Sequence, residues 1–308
     1  MPVASARVAA IGECMIELSD LGDGRMTLAY GGDSLNTSVY LARLGVTVDY
    51  VTALGDDPYS DAMLAFWRRE GVGTRHVRRL AGRLPGLYAI RTDEAGERSF
   101  FYWRSASAAR ELLRDEGGAV SDTLPNYGVL FLTGVSLSIL DPESRERLFG
   151  IVEAARENGA RIVFDSNYRP RGWPEPAGAR AAFERMGRLT DIALPSLDDE
   201  RALFGAGDAA AVAARYAGWG VGEIAVKDGA GDCHWRLGDE KGSVAAEPVS
   251  RVVDTTAAGD AFDAAYLAGR LAGLAPPAAV RRGHRLAAAV IGHRGAVIPA
   301  SAMPTMED

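Results

Sequence analysis

Strand-like and helix-like runs alternate along nearly all of this chain, and no other property narrows its possible folds as much. RVAAIG is followed by SLNTSVYLARLG, VDYVTALG by YSDAMLAFWRREG, VLFLTG by PESRERLFGIVEAARENG, RIVFD by a long helical stretch, and DIALP by DDERALFG. The first member of each pair is a short apolar run, whereas the second spaces its apolar residues at helical intervals. Such alternation predicts βαβ units around a buried, mostly parallel sheet with helices on its faces. No linker-like tract divides the 308 residues, so a single α/β domain is expected. Two stretches break the rhythm. Residues 14–30 and 86–104 read as strands joined by turns, with DEAG at 93–96 as a hairpin turn, and predict a small β lid beside the main sheet. AVKDGAGDCHWRL reads as a further small β element turning at 228–232.

Composition removes several classes of function. At 47% hydrophobic and 24% charged residues the chain has the make-up of a globular protein, not of a disordered or fibrous one. A formal charge of −7 argues against sequence-independent binding of nucleic acid. No apolar run approaches the roughly 20 residues of a membrane span. The start MPVASARVAAIGE lacks the regions of a signal peptide, so a cytoplasmic protein is expected. Cys14 and Cys233 lie far apart with no CxxC spacing, which favours reduced thiols over a disulfide or metal site. There is no GxxxxGK[ST] and no HExxH, and GVSLS at 134–138 lacks the second glycine of a nucleophile elbow. His284 and His293 are nine residues apart and do not form a metal pair; His284 is expected near a nucleotide base or on the surface.

Residues 252–269, VVDTTAAGDAFDAAYLAG, carry the strongest chemical signal. The β-branched start reads as a strand end, and the spacing of Phe262, Tyr266 and Leu271 predicts a helix beginning at Ala258 or Gly259. The first N–H groups of a helix lack internal partners and sit at the positive end of its dipole, so Ala257, Ala258 and Gly259 can form an anion pocket. Asp260 in that first turn is a candidate base for a hydroxyl proton. An acidic residue that merely complements the helix dipole would look the same.

Other polar clusters follow strand ends. Gly31 and Gly32 let a ligand approach the backbone before a helix, while Asp33 and Asn36 offer groups for sugar hydroxyls; equally, Asp33 or Ser34 reads as an N-cap. FDSNYRPRGWP at 164–174 follows a strand whose carboxyl end belongs beside a ligand cleft, with Asp165, Asn167 and Arg169 facing it. Arg169 suits a carboxylate, because guanidinium donates two parallel hydrogen bonds. Tyr88, Tyr102, Trp103 and Arg104 suit a polar, anionic substrate, although packing on the lid would account for the aromatics as well. Lys227, Asp228, Gly229 and Gly231 form a glycine turn after EIAV that lacks the third glycine of a dinucleotide fingerprint.

In this order the motifs resemble those of the ribokinase-like sugar kinases of the PfkB family, end to end, with DTTAAGD the most specific match. Within that family IGECMIELS, GGDSLNTSVYLARLG, RLPGLYAI, ERSFFYWR, FDSNYRPRGW and LDDE are most similar to members acting on 2-keto-3-deoxygluconate. The resemblance implies a three-layer sandwich with a β lid, and ATP as donor to a primary hydroxyl, here the terminal hydroxyl of 2-dehydro-3-deoxy-D-gluconate; a neutral sugar or a non-catalytic sugar-binding role are the alternatives. It casts Asp260 as base and Ala257, Ala258 and Gly259 as the anion hole. Gly32, Asp33, Asn36, Tyr88, Tyr102, Arg104 and Arg169 fall around the sugar. Asp165, Ser166, Asn167, Ser196, Lys227, Gly229, Gly231 and His284 fall near the nucleotide. The resemblance further implies magnesium and, because lids of this family often pair, a homo-oligomer.

Two departures stand out. The family usually has glycine where this chain has Ala257, which preserves the hole provided φ stays negative. Its Asn-x-x-Glu, associated with magnesium, becomes Ser196-Leu197-Asp198-Asp199 followed by Glu200, leaving Asp199 or Glu200 as the metal-organising carboxylate.

Overall fold

A computed structural model describes residues 7–22, 24–92, 98–114 and 118–306. In chain order its strands are β1 (Val8–Ile11), β2 (Met15–Asp20), β3 (Met26–Gly31), β4 (Val48–Gly55), β5 (Gly73–Leu80), β6 (Gly86–Thr92), β7 (Arg98–Trp103), β8 (Val129–Thr133), β9 (Arg161–Asp165), β10 (Ile192–Ala193), β11 (Glu223–Val226), β12 (Cys233–Leu237) and β13 (Glu240–Val244). The helices are α1 (Asp33–Arg43), α2 (Pro58–Arg69), α3 (Gly118–Thr123), α4 (Gly134–Ser138), α5 (Pro142–Glu157), α6 (Pro176–Leu189), α7 (Leu197–Phe204), α8 (Ala209–Gly218), α9 (Ala258–Leu271) and α10 (Pro276–Ile291).

Nine strands form one sheet in the order β13-β12-β11-β10-β9-β8-β1-β4-β5. All neighbours from β11 to β5 are parallel, and the β11–β12 and β12–β13 pairs are antiparallel. Alternate residues of β1 enter different cores: Ala9 and Ile11 join the cluster packed by α5, α6 and α8, while Val8 and Ala10 join that of α1, α2, α9 and α10. A strand covered on both faces must be apolar throughout, which is why the central strands read as continuous hydrophobic runs. Caps fix several helix starts, among them Asp57 before Pro58 and Asp141 before Pro142, where side-chain oxygens accept first-turn N–H groups.

Residues 15–31 and 86–103 supply a separate four-stranded sheet in the order β3-β2-β6-β7. Its central pair β2–β6 is parallel and its outer pairs antiparallel. The turn expected at 93–96 lies outside the described residues. The β element around 228–232 is a hairpin from β11 to β12.

One expectation changes, and one strand carries no sequence signal. Residues 251–255 are not a strand: the backbone N–H groups of Val253 and Asp254 donate to the Ile291 carbonyl at the end of α10, and Val252 and Val253 are exposed. The run has β-branched side chains, but the β12–β13 hairpin occupies the sheet position beyond β11. Conversely β5, GTRHVRRL, carries no apolar pattern because it is an edge strand: Arg75 and Arg79 are exposed, and His76 and Arg78 are only partly buried.

Candidate active site

At the carboxyl ends of the parallel strands, under the small sheet, lies a cleft of about 2390 Å³. The start of α9 forms part of its floor. The Asp254 carboxylate accepts the N–H of Thr256 at 2.9 Å and of Gly295 at 2.8 Å, which turns the chain into the helix. Ala257 then adopts φ 61°, ψ 14° as the N-cap residue, and α9 begins at Ala258 as its periodicity predicts. The negative φ expected at Ala257 is therefore corrected: a left-handed residue feeding a right-handed helix turns successive N–H groups towards a common point. Such a turn has the geometry of an anion-binding nest, and with alanine it carries a conformational cost that glycine would not.

Asp260 is the third residue of α9 and lines the cleft. Its Oδ2 accepts from Asn36 Nδ2 at 2.8 Å, and its carbonyl accepts from the Thr37 hydroxyl at 3.2 Å. Burial, and then the nearby Asp33, push its carboxyl up to about 7, against the lowering effect of Asn36. A dipole-complementing surface acid would not be desolvated in this way. Asn36 thus holds Asp260 while also lining the cleft. Asp33 does not cap α1, whose N-cap is Gly32. Its Oδ2 instead accepts from Thr133 Oγ1 at 2.5 Å and from Asn167 Nδ2 at 2.7 Å, joining the ends of β8 and β9 to the start of α1. Gly32 is required by a close approach: a Cβ there would stand 2.1 Å from the Glu13 carbonyl.

Beside the anion pocket, Lys227 Nζ is held by Asp263 at 2.8 Å and Asp165 at 3.1 Å. Burial alone would depress this amine, but the two carboxylates push it up. The Ser196 side chain caps α7, and its N–H donates to Ser166 Oγ at 3.1 Å. His284 packs edge-on to Phe262 at 5.3 Å between centroids on one wall of the cleft, where its Nε2 lies 3.1 Å from the Val244 carbonyl. Asn167 shows a second left-handed backbone, φ 25°. Both strained non-glycine residues of the described chain thus lie in this site.

At the opposite end, Tyr88 and Tyr102 pack with ring centroids 5.9 Å apart, and the Tyr88 hydroxyl donates to buried Glu17. Arg104 forms an ion pair with buried Glu13. Arg169 Nη1 donates to Asp199 Oδ1 at 3.0 Å and to its neighbour's carbonyl at 2.9 Å. Asp260, Arg104 and Arg169 all border the same cleft.

Most of the expected site residues line this cleft, including Gly229 at its rim. Ser166, Gly231 and Glu200 do not. Ser166 is fully buried beneath Ser196, and Gly231 sits in the hairpin turn with its N–H on the Asp228 carbonyl. The expectation for Glu200 is corrected by geometry: its oxygens accept from Tyr216 at 2.8 Å and Arg215 at 2.6 Å in the α7–α8 interior, where burial raises its carboxyl to about 7. Trp103 points outward at 63% exposure. Glu13, Glu17, Thr133 and Asp263 went unrecognised in the sequence. The glutamates had a signal, since IGECMIEL places two acids just past an apolar strand end; Asp263 lies one helical turn from Asp260. Among the described residues no group of three or more His, Cys, Asp and Glu is arranged to hold a metal, and no helix is long and apolar enough to cross a membrane.

Known proteins share this architecture and sequence. The chain is 47% identical to the 2-dehydro-3-deoxygluconokinase of Escherichia coli (strain K12) over 97% of its own length and 99% of that protein's. It is 45% identical to the 2-dehydro-3-deoxygluconokinase of Dickeya dadantii, over 96% and 98%. A crystal structure of fructokinase with bound ATP from Xylella fastidiosa superposes with a TM-score of 0.82 at 28% identity, covering 98% of this chain and 96% of that one. The pfkB family carbohydrate kinase model matches residues 5–303. The family model spans almost the whole chain and the relatives match it over nearly their full length, and the chain belongs to the pfkB family of carbohydrate kinases.

Proposed function

We propose that this protein transfers the γ-phosphoryl group of ATP to the terminal hydroxyl of 2-dehydro-3-deoxy-D-gluconate, forming the 6-phosphate. The observation that carries the reading is that Asp260, beside the anion-binding start of α9, shares one cleft with Arg104 and Arg169. Each arginine is held by a carboxylate of the chain yet keeps surface at the cleft, 21% for Arg104 and 55% for Arg169, and a sugar acid can use that remaining donor capacity where a neutral sugar gains little from it. Near-full-length identity to proteins named for that activity supports the same substrate.

In this reading ATP lies along Gly229, Lys227 and the start of α9, with the base near His284. The N–H groups of residues 257–259 and Lys227 hold the transferring phosphoryl, and Asp260 accepts the hydroxyl proton. Asn36 fixes Oδ2 of that carboxylate and leaves Oδ1 for the hydroxyl. Asp33, itself held by Thr133 and Asn167, takes a sugar hydroxyl. The small sheet acts as a lid that excludes water and limits ATP hydrolysis. Magnesium, when bound with ATP, neutralises phosphate charge. Asp199 is the remaining carboxylate of the expected pair that reaches the cleft, which fits an ion held mostly by phosphate oxygens and water. We further read the protein as a cytoplasmic homo-oligomer paired through the lid sheets.

A steady-state assay with ATP and magnesium tests the proposal. Turnover should be fastest with 2-dehydro-3-deoxy-D-gluconate, and faster phosphorylation of fructose or ribose would overturn the substrate assignment. Native mass spectrometry reads the oligomeric state.

A further inference from the structure

Arg104 reaches the cleft from the end of β7, yet its guanidinium is not free. It is ion-paired with Glu13, whose side chain is 0% exposed and lies just past β1, beneath the small sheet. Arg104 Nε and Nη2 and both Glu13 carboxylate oxygens are buried and form no hydrogen bond, so the two side chains are held together as a close ion pair. The arginine side chain as a whole keeps 21% exposure at the cleft. The surroundings are shaped around the pair. A Cβ at Gly86 would meet Glu13 Oε1 at 2.8 Å, Met15 Cγ at 2.9 Å and Arg104 Cβ at 3.2 Å.

We propose that Glu13 is a positioning residue: by holding the inner edge of the Arg104 guanidinium, it presents the outer edge to the carboxylate of the sugar acid. The inference rests on the substrate assignment above. A long, flexible arginine at the mouth of a cleft loses side-chain entropy when it meets a ligand. An anchored one has already lost it, and its charge-assisted contact is directed at one position. Glu13 also offsets the arginine's charge, so the subsite does not act as an indiscriminate anion trap beside a site for ATP. Glu13 lies across the guanidinium from the ligand, so its effect falls on binding of the acid and not on transfer.

The test begins with wild-type turnover of 2-dehydro-3-deoxy-D-gluconate; if that is absent, the substrate assignment fails, and not the role of Glu13. Given wild-type activity, Glu13→Gln should raise the KM for the sugar acid about 10- to 100-fold, the range expected when a hydrogen bond to a charged group is lost. Its kcat and its KM for ATP should change less than about threefold. Gly86→Ala keeps every charge but pushes a methyl group into the pair, and should show the same split. In an Arg104→Gln background, Glu13→Gln should add little further loss. A wild-type KM in both single variants, equal damage to kcat and to the KM for ATP, or full additivity with Arg104→Gln would each overturn the proposal.

Discussion

Two residues at the start of α9 each make a measurable prediction. Asp260 carries a carboxyl raised to about 7, so its basic form gains population as pH rises through that value. The kcat/KM of the free enzyme should climb correspondingly between about pH 6 and 8. Asp260→Asn should abolish turnover while calorimetry still detects both substrates. Asn36→Ala removes a bond to the ionised form and should move the acid limb of the pH profile to higher pH. The stability sign follows from the same shift. A folded-state value above the ordinary one means the protonated acid is favoured by the fold, and that contribution is lost as pH rises through about 7. Asp260→Asn should therefore raise the melting temperature more at pH 8 than at pH 5. Ala257 is the second residue. Its left-handed backbone costs an L-residue about 1–2 kcal/mol, part of which glycine returns as unfolded-state entropy. Ala257→Gly should stabilise the protein by about 0.5–1 kcal/mol in denaturant melts, with turnover retained.

Elements bring together what single residues cannot. The end of β8 supplies Thr133, the end of β9 supplies Asn167, and α1 supplies Asp33, so three crossover connections meet in one hydrogen-bonded knot. The packing of α7 against α8 decides the fate of two neighbouring acids: Asp199 turns to the cleft and Glu200 to the interior. Glu200→Ala should therefore destabilise the protein, by about 3 kcal/mol if the buried contacts to Arg215 and Tyr216 are lost together. The apparent magnesium affinity measured by turnover should not move. Burial also decides which elements are legible in the sequence. Buried parallel strands must be apolar on both faces, so β1, β4, β8, β9 and β11 stood out, as did the helices between them. Edge strand β5 hid among arginines, and residues 251–255 had strand-like side chains without a free place in the sheet.

At the scale of the molecule, the cleft exists because a second sheet, made from two segments distant in sequence, stands over the strand ends. If it closes on a bound sugar acid, backbone amides of β6, β7 and residues 165–172 should exchange hydrogen more slowly with 2-dehydro-3-deoxy-D-gluconate present. A neutral hexose at the same concentration should leave them unchanged. Uniform protection across the main sheet, with none in these segments, would separate general ligand stabilisation from closure.

The sequence alone determined the βαβ rhythm, the two β-rich interruptions, the small-residue helix start at 257–259 and the presence of Asp260, Asp33, Arg104 and Arg169 around the cleft. These depend on local periodicity, backbone freedom and side-chain chemistry, all of which are encoded over a few consecutive residues. Only the tertiary structure decided that Asn36 fixes Asp260, that Glu13 holds Arg104 and Glu17 holds Tyr88, that Lys227 joins Asp165 to Asp263, and that Glu200 belongs to the core. Each of these is a short-range interaction between groups that are remote in the chain or turned by packing. A hydrogen bond or ion pair depends on ångströms and angles, which sequence spacing does not specify.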